Sequence, residues 1–196
     1  MKLYRVYGLN GCRMLLHDKT TRYRITKIDI VQDIVNNFGI SILNTFDNVH
    51  TYSKKVFKEK FNNNRAQGII IEFLADYDSQ FDFNAVVKKD HCIVILDSIN
   101  DPQNLGQIIR TCECAGIDSI ILPSNSSISI TDTVLQISQG AFTNVKIYIE
   151  KNINRFIDKN NQFSGLHLVI WRSRLTAIFT SKITGHSVII LKNEIT

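Results

Sequence analysis

Residues 96–116 read LDSINDPQNLGQIIRTCECAG. They set Asn100, Asp101 and Asn104 after an apolar run, CIVILD, and Arg110 on the amphipathic helical stretch that follows. A strand feeding a loop and then a helix is a common entry to a nucleotide-type site. Here the loop carries no glycine-rich phosphate cradle, neither G-x-G-x-x-G nor G-x-x-x-x-G-K-[ST]. The loop offers carboxamides instead and the helix after it one guanidinium, groups that orient a ligand and hold an anion. Part of the pattern is architectural: Asp101 suits a helix N-cap and Pro102 the first helical position. Leu105, Ile108, Ile109 and Cys112 form the apolar stripe of that helix. Arg110 falls off the stripe with Gln103, Gln107 and Cys114, and Glu113 is spaced to pair with it on the surface.

A second polar cluster lies in LPSNSSISITDTVLQISQGAF. Asn125, Ser126 and Ser127 follow a strand-like run, and loops at the carboxyl ends of strands in open α/β sheets are where ligands bind. The same residues also make ordinary turns. Ser138-Gln139-Gly140-Ala141 fits a helix end closed by a left-handed glycine.

The elements that must position these groups alternate. In the first third, YGLNGCRMLLH reads as a helix, RYRITKIDI as a strand, IVQDIVNNFG as a helix and ISILNTF as a strand. TYSKKVFKEKF reads as a basic helix and GIIIEF as a strand. This closes a small α/β domain over residues 1–74, with a linker over 75–90. In residues 91–196, CIVILD, SIILP, NVKIYI, HLVIW and SVIIL read as strands, with helices over NLGQIIRTCECAG, 131–139 and NINRFIDKNN. Continuous apolar strands separated by helices predict a mostly parallel sheet covered on both faces.

The charge is uneven. Residues 1–65 hold 12 Lys/Arg against 5 Asp/Glu, a net +7 within a chain of net +5. A basic first third points to a polyanion, most simply nucleic acid. The candidates for its contacts are Arg5, Arg22, Arg24, Lys54 and Lys55, with Tyr4, Tyr7, Tyr23 and Tyr52 nearby. The four cysteines match no zinc spacing and are expected reduced, so no metal is expected. No run of eighteen apolar residues and no secretory pattern is present, so a cytoplasmic protein without a membrane span is expected.

The segment 96–116, together with ISQGAF downstream, resembles the first signature of the SpoU (TrmH-like) RNA 2′-O-ribose methyltransferases, a branch of the trefoil-knotted SPOUT class. YGLNGCRMLL and RAQGIIIEF resemble the small N-terminal RNA-binding domain of the branch that methylates a guanosine in large-subunit ribosomal RNA. SVIILKNE resembles the start of the family's second signature. The resemblance implies S-adenosylmethionine as cofactor, an RNA substrate (ribosomal, with transfer RNA as the alternative) and a homodimer. Asn104 and Arg110 match the asparagine and arginine of the first signature, and Glu194 the glutamate of the second. Leu191, Lys192 and Asn193 stand at the start of the cofactor segment. In the family the arginine is placed at the ribose 2′-hydroxyl. Because a guanidinium stays protonated, a role in clamping a phosphate and stabilising the developing alkoxide suits it better than proton abstraction.

The resemblance also implies a longer ending. The family continues into a third signature, a strand and then Ser-Leu-Asn, whereas this sequence reads LKNEIT to Thr196 and has Lys192 where a glycine is usual. The expectation is a truncated SPOUT domain, an incomplete knot and no methyl transfer at this length. An RNA-binding module without catalysis is the alternative. An unrelated nucleotide-binding α/β enzyme is disfavoured by the missing phosphate motifs.

Overall fold

The computed structural model describes residues 1–77, 92–97, 99–125, 127–153, 155–156, 167–172 and 187–192. The chain forms two compact units, Met1–Asp76 with Thr131–Thr143, and Tyr77–Ile130 with Asn144–Thr196. By sequence, residues 131–143 belong to the second expected domain. In space they group with the first unit.

The first unit is built on a four-stranded sheet in the order β1-β4-β2-β3, with β1 Lys2–Tyr7, β2 Tyr23–Val31, β3 Val49–Tyr52 and β4 Ile69–Ala75. β4 is antiparallel to both neighbours and β3 runs parallel to β2. Ile69, Ile71, Phe73 and Ala75 make β4 the spine of this core. β1 is a strand that helical and strand patterning passed over, because only Tyr4 and Val6 turn inward while Lys2, Leu3 and Arg5 face out. Helix α1 (Leu9–His17) buries Cys12, Leu15 and Leu16. The expected helix IVQDIVNNFG, residues 30–39, is a 3-10 helix over Gln32–Asn37, with Ile30 and Val31 ending β2. The expected strand ISILNTF is instead a short helix, α2 (Ile40–Leu43), entered through Gly39 at φ +83°. Its Ile40/Ile42 alternation imitates a strand, but the pairing edge of β2 is taken by Val49–Tyr52. α3 (Lys54–Phe61) forms as expected, capped by Ser53, whose side chain accepts from the Val56 amide.

Residues 131–143 complete this unit. Helix α5 (Asp132–Ile137) lies along β1 and satisfies its outer edge. The Arg5 amide donates to Asp132 Oδ1 at 3.0 Å, and Gln136 both accepts from the Tyr7 amide at 2.9 Å and donates to the Tyr7 carbonyl at 2.7 Å. Side chains thus cover an edge that would otherwise recruit another strand. Phe142 is fully buried and stacks on Phe73 with ring centroids 5.8 Å apart, and Tyr23 meets both rings edge-on.

The second unit is the parallel α/β sheet that the apolar runs predict. Its order is β7-β6-β5-β9-β8, with β5 Cys92–Asp97, β6 Ser119–Pro123, β7 Lys146–Glu150, β8 His167–Arg172 and β9 Ser187–Lys192. Every pair is parallel. Ile93 to Leu96 and Ile120 to Leu122 are buried without alternation, as a strand covered on both faces requires. Helix α4 (Pro102–Cys114) buries Leu105, Gly106, Ile108, Ile109 and Cys112.

Candidate active site at the carboxyl ends of β5 and β9

From β5 the chain moves outward to β6 and then β7. It re-enters the sheet at the opposite edge with β8 and returns to β9 beside β5. The direction of winding therefore reverses between β5 and β9, and ligands of open α/β sheets bind outside the carboxyl ends of the strands at such a point. Asp97 and Lys192 pair across this junction, and Arg172 pairs with Lys192 on the far side. The ends of the two segments 92–97 and 187–192, ninety-five positions apart in sequence, are thus adjacent in the sheet.

The loop leaving β5 is held by the loop leaving β6. The Ile99 amide donates to Ser127 Oγ at 3.3 Å and its carbonyl accepts from the Ile128 amide at 2.7 Å. Ile99 itself is buried, while Asn100 is exposed. Ser127, a ligand candidate from sequence, is occupied in positioning this loop.

α4 begins as its residues dictate. Asp101 Oδ1 accepts from the Gln103 amide at 2.8 Å and Pro102 opens the first turn. The helix start is closed by its own carboxylate, which offsets the helix dipole and disfavours a phosphate there. Asn104, in that first turn, is half-buried, and its side chain has no hydrogen bond among the described residues. Arg110 is exposed and likewise without hydrogen bond or ion pair among the described residues. The expected surface pair with Glu113 is not made: Glu113 accepts from Asn144 Nδ2 at 3.0 Å. Six residues separate Asn104 from Arg110, about 9 Å along the axis and about 120° around it. They therefore address different parts of a ligand lying along α4. Leu191 and Lys192 end β9. Asn193 and Glu194 lie outside the described residues.

ISQGAF has a structural duty. Ser138 Oγ donates to the Leu135 carbonyl at 2.7 Å, Gln139 and Gly140 both have positive φ, and Ala141–Thr143 form a 3-10 turn that buries Phe142.

The five basic residues read as nucleic-acid contacts divide into two groups. Arg5 is ion-paired with Glu72, and Arg22 donates to the Thr143 carbonyl while lying over the Tyr23 ring. Arg24, Lys54 and Lys55 are exposed and unpaired among the described residues. The tyrosines are not open platforms. Tyr4 is buried, the Tyr23 hydroxyl donates to the Phe142 carbonyl, and the Tyr52 hydroxyl donates to Asp29 while accepting from Lys60. Sequence reading passed over Lys58 and Arg65, both exposed. The spacing of Lys58 four residues after Lys54, on one helix face, was the available signal.

Residues 91–196 match the family model described as the SpoU rRNA Methylase family. A protein of Staphylococcus epidermidis named as a TrmH family tRNA/rRNA methyltransferase is 40% identical over 73 residues, which are 36% of this chain and 29% of that protein. A relative of the same name from Staphylococcus haemolyticus is 35% identical over 85 residues, 43% of this chain and 34% of that protein. The matched stretch thus spans about a third of either relative's length. Among solved structures, the SpoU methyltransferase AviRb from Streptomyces viridochromogenes in complex with the cofactor AdoMet superposes with a TM-score of 0.72 at 13% identity, over 99% of this chain and 74% of that one. An AdoMet-bound rRNA methyltransferase from Sinorhizobium meliloti gives a TM-score of 0.68 at 19% identity, over 96% of this chain and 69% of that one. At these identities the likeness is one of fold. With the parallel sheet, the junction of β5 with β9 and a family model covering residues 91–196 all in agreement, the chain belongs to the SpoU rRNA methylase family.

Proposed function

We propose that this protein transfers a methyl group from S-adenosylmethionine to a ribose 2′-hydroxyl of RNA, ribosomal RNA being the preferred substrate. The observation that carries the reading is the juxtaposition of Asp97 and Lys192 at the winding reversal, with Asn104 and Arg110, unpaired among the described residues, on the helix that leaves it. The donor set suits this cofactor. A helix start already capped by Asp101 disfavours a polyphosphate, and S-adenosylmethionine carries a sulfonium and no phosphate. The ends of β5 and β9, with Leu191 and Lys192, would hold it. When bound, the cofactor supplies an electrophilic methyl group, so positioning and electrostatics are the protein's share of the work. Arg110 clamps an RNA phosphate and stabilises the oxyanion that forms as the hydroxyl loses its proton. Asn104 orients the ribose from the first turn.

RNA is drawn in by α3. Lys54, Lys55 and Lys58 are exposed on a helix anchored by Phe57 and Phe61, and Arg65 follows. Lys54 and Lys58 repel each other at i, i+4, a cost that a polyanion relieves. This face also supports the second reading, RNA binding without transfer. In keeping with the resemblance, we propose that the active assembly is a cytoplasmic homodimer.

The test is to incubate the gene's product with methyl-labelled S-adenosylmethionine and ribosomal RNA, digest the RNA to nucleosides and locate the label. Label on 2′-O-methylribose is expected. Label on a base overturns the assignment, and RNA binding without label favours the second reading.

A further inference from the structure

A cleft of about 310 Å³ opens in the first unit between α2 and β3, with the loop 44–48 forming one wall. Leu43 and Val49 give it an apolar floor, Phe46 supplies an aromatic face, and Asn44, Asp47 and Thr51 supply polar groups. Its size is at the small end of ligand sites, right for one planar ring system rather than an extended molecule. Among the described residues, the side chains of Asn44 and Asp47 make no hydrogen bond or ion pair, and Phe46 stacks on no other ring. Ile40, on the rim, is left 55% exposed. An apolar floor, an unpartnered ring and an unpartnered carboxylate at one place are the parts from which proteins build sites for unstacked RNA bases.

We propose that this cleft holds one unstacked base of the RNA, and that the base is guanine. The inference rests on the RNA-binding reading above and adds to it an anchor distinct from the ribose presented to α4. Guanine is selected by the acceptor-only character of a carboxylate. Guanine, alone among the four RNA bases, sets a ring N–H beside an amino group on its pairing edge, so both Asp47 oxygens receive a donor. Adenine and cytosine set an acceptor nitrogen beside their amino group, and uracil flanks its one donor with two carbonyls, so each would turn a lone pair toward the carboxylate. Asn44 offers both a donor and an acceptor, and its amide complements the O6 carbonyl next along the same edge. The phosphates on either side would be met by the basic surface of residues 1–65, which carries a net +7.

The experiment compares short single-stranded oligouridylates bearing one central guanosine, inosine or adenosine, by fluorescence anisotropy without S-adenosylmethionine. Inosine keeps the ring N–H and lacks the amino group. The guanosine oligomer should bind about tenfold tighter than the other two. Asp47→Asn should abolish that preference without weakening the binding of oligouridylate, since it removes a negative charge that repels uracil carbonyls and phosphates. Phe46→Leu should weaken the guanosine oligomer by about tenfold. Circular dichroism on both variants verifies that they are folded. Equal binding of the three oligomers by the wild-type chain, or a preference that survives Asp47→Asn in folded protein, overturns the guanine site and leaves the RNA reading intact. No binding to any oligomer, even at low salt, overturns both.

Discussion

Arg110 is exposed and makes no contact among the described residues that would explain it as a structural element. Its substitution should therefore separate chemistry from folding. Arg110→Ala is expected to lower the rate of methyl transfer by about 10²–10³-fold, the usual effect of removing one preorganised donor from a developing oxyanion. The thermal unfolding midpoint and the affinity for S-adenosylmethionine should stay unchanged. Arg110→Lys should restore only a small part of the rate, because an ammonium keeps the charge and loses the planar fork. A variant with full activity would show that the guanidinium is an ordinary surface group. The cysteines are separable in a similar way. Cys114 is exposed, whereas burial pushes the thiols of Cys92 and Cys112 up to about 11 and about 12, with the charge of Asp118 adding to the rise at Cys92 and the nearness of Cys92 to that at Cys112. Burial raises Cys12 further still. Iodoacetamide at mildly alkaline pH should modify Cys114 alone in the native chain, as read by mass spectrometry. Modification of Cys12 at the same rate would contradict its burial.

Among the elements, α3 and the segment that follows α5 make opposite demands. α3 is stable through Ser53 at its start and the Phe57–Phe61 pair beneath it, and while Lys60 donates to the Tyr52 hydroxyl, Lys54, Lys55 and Lys58 are exposed and unpaired among the described residues. If those lysines meet phosphates, Lys58→Gln should reduce the slope of log affinity against log salt by about 0.7 for single-stranded RNA. Arg5→Gln should hardly change it, since Arg5 is already ion-paired with Glu72. An unchanged slope in the Lys58 variant would remove α3 from the interface. The turn after α5 is constrained by geometry. Gly140 has φ +97°, and a Cβ there would lie 2.7 Å from Met14 Cγ and 3.3 Å from Gly11 Cα. Gly140→Ala is expected to cost more than about 1 kcal/mol through the backbone conformation alone, with the overlap adding to it. A urea midpoint equal to that of wild type would refute this.

For the molecule as a whole, the buried thiols set an alkaline limit. In the unfolded chain they ionise near 9.0, whereas in the native chain Cys92 and Cys112 hold their protons to about 11 and about 12. Across that window the unfolded state binds fewer protons than the native one, so stability must fall as pH rises. The contribution is fully present below pH 9 and is lost on going up through the native values. Urea titrations at pH 8 and pH 10.5 should show a lower midpoint at the higher pH. Cys112→Ala should lessen the fall, although it also removes packing from the buried face of α4. A midpoint independent of pH would mean that these thiols are more accessible than their burial implies.

The sequence alone determined what is local. The apolar runs CIVILD and SIILP read as doubly covered strands because burial on both faces removes alternation, and both are strands of the parallel sheet. Asp101 and Pro102 read as a helix start because capping depends only on nearest neighbours, and the cap is made. The motif in 96–116 named the family. Tertiary structure decided what depends on distant partners. ISIL could have been strand or helix, and β2 chose Val49–Tyr52 as its neighbour. Arg5 and Arg22 looked like free cations until Glu72 and the Thr143 carbonyl met them from far along the chain. Gln136 and Phe142 carried no readable signal, since their partners, β1 and Phe73, lie in another part of the sequence. The meeting of Asp97 with Lys192 belongs to the same class. Local propensity extends over one helical turn or one strand, whereas the register of a parallel sheet is set only once every crossover has closed.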